Sequence, residues 1–135
     1  MKYKALLLDF YGTLVAEDDH IISNILKAIA AGSPVPSDVK QIGRDWRFQE
    51  LCNAAFGASF RSQRALELES LTRLLSDYES ELDPYKISNE LFSYWRSPQV
   101  FDDARYFLER NALPVCIVSN IDTHDRSYGA CGMEL

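Results

Sequence analysis

The chain reads as an α/β protein built on an incomplete parallel sheet, with an all-helical segment inserted after the first strand. Two observations carry that expectation. Lys4-Ala5-Leu6-Leu7-Leu8 and Leu113-Pro114-Val115-Cys116-Ile117-Val118 each contain a continuous apolar run of strand length, the pattern of strands covered on both faces of a parallel sheet. Between them lie about 100 residues, over most of which apolar residues recur at three- and four-residue steps, the period of helices.

The first run stops abruptly on Asp9, followed by Phe10-Tyr11-Gly12-Thr13-Leu14-Val15. In open α/β sheets ligands bind at the carboxyl ends of the strands, so Asp9 stands where chemistry is expected. Gly12 permits a sharp turn or close approach of backbone to a ligand, and Thr13 adds a hydroxyl. On pattern alone, Asp9 as a helix cap and Gly12-Thr13 as an ordinary turn is the competing reading.

The elements follow in order. Glu17-Asp18-Asp19 precedes Ile21, Ile22, Ile25, Leu26 and Ile29, one helical face with acids in its first turn, where they suit the helix dipole. Gly32-Ser33-Pro34-Val35-Pro36 ends it. Ser37-Asp38 offers a cap for a helical stretch running towards Phe56, and Gly57-Ala58-Ser59 breaks it. Leu68, Leu71, Leu74, Leu75 and Tyr78 predict a helix over 62–78, and Ile87, Leu91, Tyr94 and Trp95 predict another over 84–95. Pro98 stops that helix. Asp102 or Asp103 is expected to cap a short helix carrying Ala104, Phe107 and Leu108, with Asn111 ending it in a left-handed turn. A strand, a helical insert, a helix and a second strand make an interrupted βαβ unit. The expected organisation is a core of residues 1–15 and 98–135 and a helical cap of residues 16–97.

Composition narrows the function. With 47% apolar and 25% charged residues over 135 positions, the chain has the make-up of a globular protein with a sizeable core. A net charge of -6 argues against nucleic acid and anionic membranes as partners, since both call for a basic face. Cys52, Cys116 and Cys131 are widely spaced and odd in number, which suits reduced thiols in a cytoplasmic protein. Residues 1–8 are basic then apolar, and too short for a signal peptide or a membrane span. A small-molecule substrate and a possible homodimer complete the expected partners. His20 and His124 are isolated. Asp122, His124 and Asp125 read as a solvated helix start rather than a metal cluster.

Leu6-Leu7-Leu8-Asp9-Phe10-Tyr11-Gly12-Thr13-Leu14 resembles the first motif of the haloacid dehalogenase-like (HAD) hydrolase superfamily, an apolar strand followed by Asp-x-Asp-Gly-Thr. Val118-Ser119-Asn120 resembles its second motif, a strand ending in Ser or Thr. The resemblance implies a Rossmann-like HAD core, a helical cap, and Asp9 as the catalytic nucleophile with Thr13 holding its carboxylate. It implies substrate or oxyanion contacts from Tyr11, Ser119 and Asn120. Tyr11 stands where phosphatases of the superfamily carry a second Asp, and Asp-x-Tyr-Gly-Thr is similar to the L-2-haloacid dehalogenase branch. A halide leaves without a proton, whereas an alkoxide needs a general acid, and a phenol with a pKa near 10 supplies one poorly at neutral pH. Dehalogenation with no metal or cofactor is therefore expected. The alternatives are a phosphatase using Mg²⁺, or a remnant or interaction module without catalysis. Arg47, in Asp45-Trp46-Arg47-Phe48-Gln49, resembles the cap arginine that binds the departing halide in the dehalogenases. An Arg packed by its stem on a helix surface reads the same way, and Arg44 and Arg61 are weaker candidates.

The family's later motifs, a Lys and further acids, do not follow Asn120 in these 135 residues. The expectation is a C-terminally truncated chain whose strands lack part of their covering layer. Alone it would be prone to aggregate or need a partner, and would turn over neither 2-chloropropionate nor an aryl phosphate.

Overall fold

The computed structural model describes residues 3–55 and 60–119. They fall into two compact units, residues 1–18 with 94–135 and residues 19–93. The sequence places the junctions at 15/16 and 97/98. The division comes three residues later and four residues earlier because residues 16–18 and 94–95 bond to one another and to their own unit, as described below.

The first unit holds a two-stranded parallel sheet of β1 (Leu6–Leu8) and β2 (Val115–Ile117), with Leu6 opposite Val115, Leu7 opposite Cys116 and Leu8 opposite Ile117. The Leu6 amide donates to the Pro114 carbonyl at 2.9 Å and the Val118 amide to the Leu8 carbonyl at 2.8 Å. Parallel pairing needs a long crossover, and all the helices among the described residues lie in it.

Helix α6 (Asp102–Arg110) presents Ala104 and Leu108 to a cluster of Phe10, Leu14, Val15 and Ala104, against which Leu8, Tyr11, Val100 and Ile117 also pack. One face of the sheet is thereby covered. Among the described residues the other face is open, which is the partial cover expected of these strands. Leu7 is 72% exposed and Val118 56%, and Cys116, a free thiol, is exposed as well. Side chains alternate across a strand, so the register that turns Leu8 and Ile117 inward turns Leu7 and Cys116 outward.

Two features of α6 differ from the sequence reading. Its N-cap is Phe101, which supplies no side-chain cap, and Asp102 and Asp103 occupy the first turn. There they interact with the positive end of the helix dipole instead of capping it. Asn111 is extended rather than left-handed (φ -75°, ψ 129°). Its amide donates to the Phe107 carbonyl, and its side chain bonds the Leu113 carbonyl and amide, steering the chain into β2.

The second unit is helical: α1 (Asp19–Gly32), α2 (Val39–Asp45), α3 (Phe48–Ala55), α4 (Gln63–Asp77) and the greater part of α5 (Pro84–Arg96). Ile25, Ile29, Leu71, Leu74 and Leu91 are among its buried side chains, on the faces the periodicity assigns, and Ile42 of α2 is buried as well. Helices α1 and α2 pack together, as do α3 and α4. A Cβ on Gly43 would lie 3.3 Å from Leu26 Cδ1, so α2 approaches α1 closely there.

Asp38 caps α2 through the Gln41 amide and Ser62 caps α4 through the Ala65 amide. The single stretch expected over 37–56 is instead two helices. Trp46 leaves helical geometry (φ -73°, ψ 101°), and its indole donates to Ser70 Oγ on α4 at 2.9 Å. The Trp46 amide still donates to the Ile42 carbonyl at 3.1 Å, closing α2, and the indole bond ties that end of α2 to α4. Buried Glu67, Ser70 and Ser88 interrupt the apolar interior, and Glu67 is a position that the leucine periodicity gave no reason to expect inside.

Two carboxylates of this unit titrate below their usual range. The Tyr78 hydroxyl donates to Asp45 Oδ2 at 2.6 Å. That bond is the largest influence lowering Asp45, followed by Gln41, and it raises Tyr78 in turn. Glu69, bonded first by Arg61 and also by Arg73, is lowered as well. Carboxyls depressed on folding stabilise the fold fully above their unfolded values of about 3.9 and 4.3, and lose that contribution as pH falls through the folded values. Thermal melts followed by helical circular dichroism should therefore show the midpoint holding above about pH 5 and falling between about pH 4 and 3. Tyr78→Phe should shallow the fall; an unchanged slope would remove Asp45 from the explanation.

Candidate functional site

The site is built from the loop that follows β1. Phe10 is buried at 2% exposure and anchors the loop from below, while Asp9 before it and Gly12 and Thr13 after it are exposed. The Phe10 carbonyl accepts the amides of Thr13, Leu14 and Val15 at 3.3, 2.8 and 3.1 Å, and the Gly12 amide donates to the Val15 carbonyl at 2.8 Å. Folding back so tightly needs a left-handed residue. Gly12 supplies it at φ +70°, a conformation that costs a side chain about 1–2 kcal/mol. Its Cβ would also stand 2.8 Å from Glu17 Oε1, the far end of a flexible side chain.

Folding back returns Thr13 to Asp9. The Thr13 hydroxyl lies 3.3 Å from Asp9 Oδ2 and donates to it. That contact is long for an O–H···O bond, so it orients the carboxylate more than it holds it.

Tyr11 turns the other way. Its ring meets Phe10 edge-on, with centroids 5.1 Å apart and planes at 78°, and its hydroxyl donates to the Trp95 carbonyl at 3.2 Å. The Tyr11 hydroxyl is thus directed to a backbone carbonyl and away from Asp9 along the chain.

Ser119 follows β2 by two residues and is half-buried. The parallel register of Leu8 with Ile117 brings the residues after both strands to the same end of the sheet. Asn120, His124, Asp122, Asp125 and Cys131 lie outside the described residues.

Arg47 belongs to the helical unit. It is exposed at the start of α3 and, with Asp45, Ser70, Arg73 and Asp77, lines a cleft of about 250 Å³ within that unit. Of the weaker candidates, Arg44 donates to Gln41 Oε1 at 2.5 Å and Arg61 is paired with Glu69.

The donor set bears on magnesium. Hard cations take several oxygens, carboxylates first. Asp9 is the one carboxylate of the folded-back loop between β1 and Val15, and the Tyr11 hydroxyl is directed to Trp95. A second carboxylate, that of Glu17, lies beside the loop at Gly12. Among the described residues no three His, Cys, Asp or Glu side chains are grouped to hold a metal ion. No helix among them is long and apolar enough to cross a membrane.

One group of residues carries no motif and was not legible as part of the site. Trp95, 5% exposed, donates its indole N–H to Asp18 Oδ2 at 2.7 Å, and the Tyr94 hydroxyl donates to the Ala16 carbonyl at 3.0 Å. Burial raises the Tyr94 hydroxyl pKa, a backbone bond from Gln99 lowers it and the Asp18 charge raises it. The available signal was two adjacent aromatics just ahead of Ser97-Pro98, which reads equally well as helix packing.

No family model and no curated protein matches the chain. Solved structures do. The L-2-haloacid dehalogenase of Xanthobacter autotrophicus aligns over 95% of this chain and 51% of its own, at 22% identity and a TM-score of 0.59. The same enzyme has been solved with chloropropionic acid covalently bound. The L-2-haloacid dehalogenase PA0810 aligns over 95% of this chain and 56% of its own, at 19% identity and a TM-score of 0.62. YfnB of Bacillus subtilis, assigned as a HAD-hydrolase and solved bound to magnesium, aligns over 95% and 57%, at 18% identity and a TM-score of 0.58. The chain spans little more than half the length of these proteins. It has the fold of the L-2-haloacid dehalogenases and other HAD-type hydrolases: an α/β core with a helical unit inserted after its first strand.

Proposed function

We propose that these residues supply the nucleophile of a HAD-like hydrolase of the haloacid dehalogenase type, with Asp9 attacking the carbon that bears the halogen. The observation that supports this best is the loop after β1. It presents an exposed carboxylate, oriented by Thr13, while the residue two positions on directs its hydroxyl to Trp95. One Asp9 oxygen forms an ester bond to C2 of the 2-haloacid as the carbon–halogen bond breaks, and the halide departs with the bonding pair. Halide needs no proton, so a loop whose phenol is directed elsewhere loses nothing in that step. A phosphate monoester would need a protonated leaving oxygen and a cation on the phosphoryl group. Ser119 and Asn120 follow the neighbouring strand and stabilise charge on the substrate carboxylate. Water then hydrolyses the ester and restores Asp9, a step that belongs to the protein as a whole.

The first step is read by measuring chloride released from 2-chloropropionate beside phosphate released from an aryl phosphate, each with and without Mg²⁺. The expected result is Asp9-dependent chloride release of the order of one per chain, indifferent to Mg²⁺, and no phosphate. Mg²⁺-dependent phosphate release lost in Asp9→Asn would establish the phosphatase instead.

A further inference from the structure

The folded-back loop is held from outside itself. The Gly12 amide, which closes the turn beside Asp9, depends on the Val15 carbonyl. Val15 in turn depends on a zipper between residues 14–18 and 94–101. Val15 bridges Val100 in antiparallel fashion. The Phe101 amide donates to the Leu14 carbonyl at 3.0 Å and the Ala16 amide to the Gln99 carbonyl at 2.8 Å.

Two side chains lock the far end of that zipper. The Trp95 indole donates to Asp18 Oδ2 at 2.7 Å and the Tyr94 hydroxyl to the Ala16 carbonyl at 3.0 Å. A third link runs directly to the loop, from the Tyr11 hydroxyl to the Trp95 carbonyl. Trp95 is therefore fixed through its indole by Asp18 and receives Tyr11 on its backbone. A buried indole N–H without an acceptor is costly, so Asp18 is the group that keeps Trp95 in place.

We infer that Asp18 and Trp95, with Tyr94, are positioning residues that hold the Asp9 loop in its folded-back form. This rests on the reading of Asp9 as the nucleophile. The contribution of Asp18 is its acceptor oxygen rather than its charge, because the partner is a neutral indole.

Hydrogen exchange of the Gly12 amide, followed by NMR in the whole protein, reads the loop without any turnover. Asp18→Ala should quicken Gly12 exchange about tenfold, the scale of one buried donor left unpaired. Asp18→Asn, which keeps an acceptor oxygen, should stay within about twofold of the parent. Tyr94→Phe should quicken it about fivefold, and serves if Asp18→Ala does not fold. The amides of Leu71 and Leu74 in α4 should not change in any variant. Gly12 exchange within twofold of the parent in both Asp18→Ala and Tyr94→Phe would overturn the inference. So would equal quickening at Leu71, which marks general destabilisation, or an Asp18→Asn variant as fast as Asp18→Ala. Because no substrate enters the measurement, failure of the dehalogenase reading and failure of this one give different results.

Discussion

Asp9→Asn should abolish covalent capture of a 2-haloacid, a loss of at least about 10⁴-fold, while leaving the melting temperature unchanged. The two halves come from different features of the same residue. An amide cannot displace halide, so the chemical step loses its nucleophile outright. The side chain is exposed and its one described hydrogen bond, from Thr13, is long. The amide oxygen of Asn accepts that bond equally well, and substitutions at such surface positions stay within about 0.5 kcal/mol. Alkylation in a nucleophile-bearing assay is compared with a thermal melt of the same preparation. Unaltered capture in the variant would move the nucleophile elsewhere.

Phe10→Ala carries the largest expected cost in stability, about 3–5 kcal/mol. Phe10 sits one residue from Asp9 and is buried in a cluster whose other fully buried members are Leu14, Val15 and Ala104. Removing the ring leaves a cavity beneath the loop and strips Tyr11 of its edge contact. So small a cluster has few neighbours with which to collapse into the space.

The helical unit has its own core and should be spared. Each unit holds one of the two tryptophans, and each indole N–H is bonded: Trp95 to Asp18 and Trp46 to Ser70. Following the two indole signals by NMR through a urea titration therefore reads the units separately. The Trp95 midpoint should drop in Phe10→Ala and the Trp46 midpoint should hold. If both fell together, the units would be one cooperative body.

The parts of the fold written in the sequence are those set by local chemistry. Ile25, Ile29, Leu71, Leu74 and Leu91 recur at helical spacing and are buried. Asp38 stands where a short polar oxygen satisfies a free amide, and it does. Gly12 was legible because a Gly between an acid and a Thr at a strand end calls for an unusual backbone, and it has one.

What could not be read depends on partners distant in sequence. The tie from Trp46 at the end of α2 goes to Ser70, 24 residues away, and no local pattern announces it. A run of leucines gives no sign of which face stays open, so Leu7 reads like Leu8 until α6 is placed. The link from Tyr11 to Trp95 spans 84 residues, and no local pattern encodes it. The resemblance of Asp9-Phe10-Tyr11-Gly12-Thr13 named the site, but it named Tyr11 by what it replaces and said nothing of where its hydroxyl goes.

The central claim is that Asp9 is a nucleophile towards a carbon–halogen bond, and intact-mass analysis with peptide mapping tests it most directly. The chain is incubated with 2-bromopropionate, a reactive 2-haloacid, then quenched in acid and digested. The predicted result is a single adduct, in the ester mass expected for displacement of bromide, on the peptide containing Asp9 and absent from Asp9→Asn. An adduct confined to Cys52, Cys116 or Cys131, with Asp9 unmodified in chain that retains both protected indole signals, would contradict it.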